Sequence, residues 1–127
     1  MPAARKCTIA IVEDDASFRR ALERLLRASG FEAHPFASGE EFLASAAPES
    51  HACLILDVHL PGMSGLDLVD HLIAFGPPQP VIFITARDQA RVRKQASRIA
   101  GSVYLRKPFV GAVLLEAVRS LLKERGA

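Results

Sequence analysis

Three short apolar runs, at residues 7–12, 52–56 and 81–86, constrain the fold of this chain most strongly, because none of them alternates polar with apolar residues. A strand with one face in solvent would show such alternation, whereas a strand buried on both faces does not. Strands of the second kind are typical of parallel sheets that helices cover on both sides. The runs therefore predict an α/β domain with a parallel sheet at its centre.

Amphipathic stretches separate these runs and extend the pattern. After the first run, Leu22 and Leu26 belong to a helical stripe that ends at Gly30. A weaker strand at residues 31–36 contains Pro35, which suits an edge of the sheet. The other predicted elements are a helix capped by Ser38 with Glu41 three residues later, a helix over residues 66–73, a helix over residues 88–100, a strand at residues 102–105 and a helix over residues 110–122. The result is a doubly wound (βα)5 fold with a five-stranded parallel sheet.

Polar residues stand where the predicted strands end. Glu13 and Asp14 follow the first strand, and Asp57 follows the third. Thr85 ends the fourth strand, and Lys107 follows the fifth. The carboxyl ends of parallel strands share one edge of the sheet, where open α/β folds bind ligands. The sequence therefore predicts that these five residues converge on one crevice.

Three carboxylates in one crevice repel one another, and a hard divalent cation offsets their charge. Mg²⁺ binds one or two carboxylates together with waters and phosphate oxygens, so we expect Asp14 and Asp57 as direct ligands and Glu13 as a ligand through water. Asp57 is the expected nucleophile toward a phosphoryl group. Thr85 can donate its hydroxyl to a phosphoryl oxygen, and Lys107 can pair with a carboxylate or with an incoming anion.

Four short motifs, taken in order, resemble those of the response-regulator receiver domain. They are VEDD at the first strand, LDVHLPGMSG at the third, ITA at the fourth and YLRKPF at the fifth. The resemblance covers nearly the whole chain and implies a flavodoxin-like fold with strand order 2-1-3-4-5. It also implies a role in two-component signal transduction, with residues 1–127 as a single receiver domain.

The resemblance implies a role for each residue of the crevice. Asp57 looks like the phospho-acceptor, to which a partner histidine kinase would transfer a phosphoryl group, and Lys107 would contact that group. Glu13 and Asp14 resemble the acidic pair that holds Mg²⁺, and the backbone carbonyl of His59 would complete the metal site. Such a domain is not an enzyme toward an outside substrate, although it catalyses its own phosphorylation and dephosphorylation.

Thr85 and Tyr104 resemble the switch pair of receivers, in which the threonine moves toward the phosphoryl group and the aromatic ring rotates inward. The bond between Lys107 and Pro108 is cis in many receivers, and proline raises the odds of that isomer. The segment before Tyr104 is one residue shorter than the common receiver pattern. We therefore expect a local difference in the loop before the fifth strand.

Four cations, Arg87, Arg91, Lys94 and Arg98, recur at helical spacing after the fourth strand. A solvated helix face is the simple explanation. The resemblance implies instead that helix 4, strand 5 and helix 5 form an output surface, which controls an output domain or an effector and can pair with a second copy after phosphorylation. We expect a transcriptional output, and we expect helix 4 to be among the less stable elements.

The composition fits a cytoplasmic domain. The chain has 127 residues, and 50% of them are hydrophobic, which suffices for one compact core. The N-terminus lacks the apolar region of a signal peptide, and no run reaches the ~18 apolar residues of a membrane span. No nucleic-acid motif is present, so we expect no direct contact of this segment with nucleic acid. Cys7 and Cys53 are interpreted as buried, reduced thiols.

Alternative functions remain at this point. The chain could be a stand-alone regulator, or a degenerate receiver that acts by protein binding alone. A haloacid-dehalogenase-like phosphatase fits less well, because Asp57-Val58-His59 lacks the second aspartate and the threonine of its motif. A flavodoxin-like electron carrier would need a phosphate-cradling loop after the first strand, where this chain has the acidic sequence EDDAS.

Other chemically notable residues receive structural interpretations. His34, His51 and His71 stand apart without ligand spacing, which favours exposed or hydrogen-bonded side chains over metal ligands. Phe18 lies at core spacing on the first helix and is interpreted as a packing residue.

Overall fold

The computed structural model describes residues 7–45, 48–76, 79–99 and 101–124. Strands and helices alternate along these residues, as the sequence predicts. The elements are β1 (Thr8–Val12), α1 (Ala16–Ala28), β2 (Glu32–Phe36), α2 (Gly39–Ala44), a 3-10 turn (Pro48–Ser50), β3 (Cys53–Asp57), α3 (Gly65–Ile73), β4 (Val81–Thr85), α4 (Ala90–Ser97), β5 (Ser102–Arg106) and α5 (Gly111–Glu124). Among the described residues, no helix is long and apolar enough to cross a membrane.

The strands form one parallel sheet in the order β2-β1-β3-β4-β5. In the centre, Ile55 of β3 lies between Ile11 of β1 and Ile82 of β4. Every residue of β3 and β4 is buried, whereas β5 at one edge is partly exposed. The strand that contains Pro35 forms the other edge. The predicted fold and strand order are therefore confirmed.

Helices cover both faces of the sheet, and successive residues of β3 point into two different cores. Leu54 and Leu56 pack against α2, α3 and α4. Ile55 packs against α1 and α5. This burial on both sides explains why the third strand has apolar residues at every position before Asp57.

Polar side chains cap α1, α2 and α3, which begin near the carboxyl edge of the sheet. Asp15 accepts backbone hydrogen bonds from the first turn of α1. Ser64 and Asp67 form a reciprocal capping box at the start of α3. Ser38 caps α2 as predicted, because its hydroxyl accepts a 3.0 Å hydrogen bond from the backbone N–H of Glu41. The starts of these three helices are therefore well defined.

The fourth helix is shorter than the range of 88–100 that we expect from the sequence. It spans Ala90–Ser97, and the last residue of the expected range lies outside the described part of the chain. Its N-cap residue, Gln89, makes no capping hydrogen bond with its side chain. Val92 and Ala96 are its buried residues. The helix is thus held by a narrow apolar stripe.

Both cysteines are free thiols. Cys53 lies fully buried in β3, and burial raises the pKa of its thiol to about 12. Cys7, which directly precedes β1, is only half-buried. The prediction of two buried thiols is therefore wrong for Cys7.

Candidate functional site at the carboxyl edge of the sheet

The predicted polar residues lie at the carboxyl edge of the sheet. β1, β3, β4 and β5 are neighbours in that order, so the residues that end or follow these strands face one crevice. Glu13, Asp14 and Asp57 each place a carboxylate oxygen within 4.8 Å of the other two. Lys107 reaches the crevice from the end of β5 and bonds to two of these carboxylates.

Asp57 ends the central strand and is only 5% exposed. Its Oδ1 accepts a 2.9 Å hydrogen bond from the backbone N–H of His59, and its Oδ2 accepts a 3.2 Å hydrogen bond from Nζ of Lys107. Gly65 begins α3 directly beside it, and a Cβ at Gly65 would lie 2.5 Å from the carbonyl oxygen of Asp57. A glycine is therefore needed where the helix approaches the end of the strand.

The acidic pair after β1 is divided between the interior and the surface. Glu13 is fully buried, whereas Asp14 is exposed. Glu13 accepts hydrogen bonds from Nζ of Lys107 at 2.7 Å and from the backbone N–H of Asp15 at 3.0 Å. Burial raises the pKa of Glu13 to about 7, the negative charge of Asp57 adds to this effect, and the two hydrogen bonds partly offset it. Glu13 is thus the interior anchor of the cluster.

Lys107 joins the two sides of the acidic cluster. Burial by itself would lower the pKa of its ammonium, but the hydrogen bond to Glu13 and the charges of Asp57 and Glu13 outweigh burial and raise it. As the pH rises, Glu13 therefore loses its proton near pH 7, well before Lys107 does. Above that pH the Glu13 carboxylate and the Lys107 ammonium form an ion pair. The peptide bond between Lys107 and Pro108 is cis, as the resemblance suggests.

The two residues of the expected switch pair lie on neighbouring strands but do not bond to each other. The hydroxyl of Thr85 is fully buried and donates a 2.7 Å hydrogen bond to the carbonyl oxygen of Arg87. It also accepts a 3.1 Å hydrogen bond from the backbone N–H of Arg87. The hydroxyl of Tyr104 is buried and has no hydrogen-bond partner among the described residues. Thr85 is thus turned toward its own loop rather than toward Asp57.

One aromatic residue near the site was not identified from the sequence. The ring of Phe18 lies under the ammonium of Lys107, with 4.4 Å between Nζ and the ring centroid. Its helical spacing predicts a core residue, and Phe18 does pack beside the α1 and α5 core. The signal that could have revealed its second contact is its position in the first turn of the helix that follows Glu13 and Asp14.

Two of the histidines are partners rather than isolated side chains. Nδ1 of His34 lies 3.1 Å from Nε2 of His51, and Nε2 of His34 lies 3.0 Å from the carboxylate of Glu32. Nδ1 of His51 lies 2.9 Å from the carbonyl oxygen of Pro48. The contact between His34 and His51 joins β2 to the segment before β3. It could not be recognised in the sequence, because the two histidines are 17 residues apart. Within the described ranges, the one cluster of three side chains able to hold a metal is Glu13, Asp14 and Asp57.

The predicted basic stripe lies on the surface. Arg87, Arg91, Lys94 and Arg98 are all exposed, although only Arg91 and Lys94 belong to α4. Arg93, beside the stripe, pairs with Asp88 at 3.4 Å. An exposed pair of this kind contributes little to stability. The stripe is therefore solvated surface in this structure.

The fold and the crevice define a class of protein, the doubly wound α/β domains that carry a carboxylate cluster where their parallel strands end. Within this class, the family model of the response regulator receiver domain matches residues 9–119. The chain belongs to that family, whose members are the receiver components of two-component systems.

Individual relatives agree with this assignment. Nodulation protein W of Bradyrhizobium diazoefficiens is 40% identical over 116 residues, which cover 91% of this chain and 51% of that protein. Transcriptional regulatory protein FixJ of Azorhizobium caulinodans is 33% identical over 88% of this chain and 53% of its own length. A solved response regulator receiver protein from Burkholderia phymatum is 44% identical, with a TM-score of 0.79 over 93% of this chain and 96% of that chain. This chain thus spans about half the length of the curated relatives it matches.

Proposed function

We propose that Asp57 accepts a phosphoryl group from a histidine kinase and that Mg²⁺, held by Glu13, Asp14 and Asp57, assists the transfer. The observation that carries this proposal is the crevice in which Lys107 is bonded at once to a buried Glu13 and to Asp57. Phosphoryl transfer depends mainly on positioning and on neutralising charge. An acceptor carboxylate at the end of a rigid central strand, beside a fixed ammonium, meets both needs.

The residues present fit a magnesium ion. Three carboxylates place ligand oxygens within 4.8 Å of one another, and one lysine cannot neutralise all three. Oxygen donors of this kind suit a hard divalent cation. Asp14 and Asp57 would bind the ion directly, Glu13 would act through water, and the backbone carbonyl of His59 would complete the set. When bound, the ion would neutralise negative charge on the phosphoryl oxygens.

In the proposed reaction, a carboxylate oxygen of Asp57 attacks the phosphorus of a phosphohistidine. The new O–P bond forms as the N–P bond breaks, and the electron pair of that bond leaves with the histidine nitrogen. The product is an acyl phosphate on Asp57. Lys107 would then pass from the carboxylate to a phosphoryl oxygen while it remains bonded to Glu13. Hydrolysis of the same acyl phosphate would reset the domain.

The response would begin at Thr85. Its hydroxyl would leave the carbonyl oxygen of Arg87 and donate to a phosphoryl oxygen on Asp57. The ring of Tyr104 would follow the threonine inward, and its hydroxyl is free to gain a partner there because it has none among the described residues. These movements would change the surface formed by α4, β5 and α5.

The changed surface would act on an output domain or an effector, and a phosphorylation-dependent homodimer is one form of that output. FixJ supports a transcriptional output, since it is named a transcriptional regulatory protein. We assign the protein to the cytoplasm and residues 1–127 to a single receiver domain. A stand-alone regulator is the alternative within the same chemistry.

The test is incubation with acetyl phosphate and Mg²⁺, followed by measurement of the intact mass. One added phosphoryl group is expected, removable by hydroxylamine, absent with a chelator and absent from Asp57→Asn. Absence of the adduct, both with acetyl phosphate and with several phosphorylated histidine kinases, would instead identify a degenerate receiver that acts by binding alone.

A further inference from the structure

Among the described residues, the ammonium of Lys107 contacts three side chains in the crevice. Two are the carboxylates of Glu13 and Asp57, at 2.7 Å and 3.2 Å. The third is the ring of Phe18, whose centroid lies 4.4 Å from Nζ. The lysine side chain is only 19% exposed, so these contacts replace much of the water that would surround a surface ammonium.

The ammonium of Lys107 gains from such a neighbour. Its charge sits on a flexible four-carbon chain, and its ammonium is otherwise strongly hydrated. The face of an aromatic ring is negative, so it attracts the ammonium without accepting one of its protons in a conventional hydrogen bond. The ring can therefore keep hold of Lys107 while the lysine exchanges its oxygen partners.

The ring of Phe18 is itself braced. The ring of Phe109 meets it edge to face, with 5.8 Å between centroids and an interplanar angle of 79°. Phe109 follows the Lys107-Pro108 bond, so the brace and the lysine come from the same segment. The interaction thus links the first turn of α1 to the segment after β5.

We propose that Phe18 is a positioning residue for Lys107, which holds the ammonium at the crevice during its passage from Asp57 to the phosphoryl group. The inference rests on the proposed function, because it needs Lys107 to act in phosphoryl transfer. The positioning role of Phe18 differs from a packing role in one respect. An aliphatic side chain can fill the same stripe of α1, but only an aromatic face attracts a cation.

Substitutions at this position separate the two roles. Phe18→Leu keeps an apolar side chain and removes the ring, whereas Phe18→Tyr keeps a ring. A series of phenylalanine analogues with increasing fluorine substitution, incorporated at position 18, keeps the shape of the side chain. The fluorine atoms progressively reduce the negative electrostatic potential at the face of the ring. Phe31→Leu is the matched control, because Phe31 packs against the same core of α1 and α5 and has no described contact with Lys107.

The measurement is the rate at which the full chain gains a phosphoryl group from acetyl phosphate with Mg²⁺. We expect Phe18→Leu to lower the rate about fivefold, fluorination to lower it step by step, and Phe18→Tyr and Phe31→Leu to stay within about twofold of wild type. In a Lys107→Ala background, Phe18→Leu should have no further effect, since its action passes through the lysine. An undiminished rate in Phe18→Leu, or an equal loss with and without Lys107, would overturn the inference.

A second readout separates failure of this inference from failure of the proposed function. In the NMR spectrum, the protons beside Nζ of Lys107 should be shifted upfield by the ring in wild type and Phe18→Tyr, and not in Phe18→Leu. Unshifted protons in wild type would overturn the inference whatever the chemistry. A wild-type protein that accepts no phosphoryl group would refute the proposed function, and the inference about catalysis with it, even if the upfield shift is present.

Discussion

The strands β3 and β5 both end at the crevice, but they differ in their place in the sheet and in their burial. β3 has a neighbouring strand on each side and every one of its residues is buried. β5 lies at the edge of the sheet, and four of its residues are only partly buried. The helices beside them differ in the same way, because α3 begins with a capping box and α4 begins without a side-chain cap. The molecule thus has a fixed region and a loosely held region on either side of one site.

This difference matches what each region would have to do. An acceptor carboxylate needs fixed geometry, which rigid central elements supply better than edge elements. A surface that changes on phosphorylation needs low local stability, which comes from a narrow buried stripe and weak caps. Asp57 lies in the first region, and Tyr104 and the basic stripe lie in the second.

The largest expected effect concerns the two thiols. Cys53 in β3 is fully buried with a pKa of about 12, so at pH 8 its reactive thiolate is scarce and shielded. We expect Cys53 to react with a thiol reagent at least about 1000-fold more slowly than Cys7 in the native protein. The rates are measured in the variants Cys7→Ser and Cys53→Ser. Comparable native rates would mean that the centre of the sheet opens readily.

The next effect tests the chemistry of the fixed region. Lys107→Ala should lower the rate of phosphorylation by acetyl phosphate by about 100-fold to 1000-fold, because it removes a positioned cation from Asp57, the proposed acceptor. Arg106→Ala is the control, since Arg106 is the adjacent cation and is exposed. Equal losses in the two variants would show that general positive charge, rather than the ammonium at Asp57, assists the transfer.

A pair of glycine substitutions compares the packing of the two regions. Gly65→Ala should lower the free energy of unfolding by about 3 kcal/mol, because its Cβ would lie 2.5 Å from the carbonyl oxygen of Asp57. Gly101→Ala, before β5, should cost about 1 kcal/mol, since its φ is +75° but nothing lies within 4 Å of the added Cβ. Urea unfolding measures both. A larger cost at Gly101 would reverse the comparison.

The smallest effect concerns hydrogen exchange. The amides of α4 should exchange about tenfold to a hundredfold faster than those of β3, because they can open locally without unfolding the sheet. Mass spectrometry of the fragments that contain each element measures this difference. Equal protection would contradict the prediction that α4 is a less stable element.

Much of the fold could be predicted, because its signals are local. Runs without alternation gave β1, β3 and β4, and Pro35 indicated the edge strand. The end of α4 could not be predicted as well, since its few apolar residues do not mark where the helix stops. The capping box of Ser64 and Asp67, by contrast, has a pattern that is recognisable in the sequence.

Pairs of residues that are distant in sequence were harder to predict. His34 and His51 appear isolated along the chain, and only the adjacency of β2, β1 and β3 brings their rings together. Phe18 carries the spacing of a core residue, and its position soon after Glu13 and Asp14 does not by itself show that Lys107 lies above it. Such contacts depend on how the strands are ordered, which local periodicity does not specify.

By itself, the sequence determined which residues stand at strand ends, because burial on both faces forces apolar residues up to the point where a strand meets solvent. It thereby determined which polar residues meet at the crevice. The tertiary structure alone decided that Lys107 pairs with a Glu13 that lies 94 residues away, that Glu13 is buried while Asp14 is exposed, and that Phe18 supports the ammonium. The physical reason is that pairing and burial arise from the packing of whole elements, whereas strand and helix signals arise from neighbouring residues.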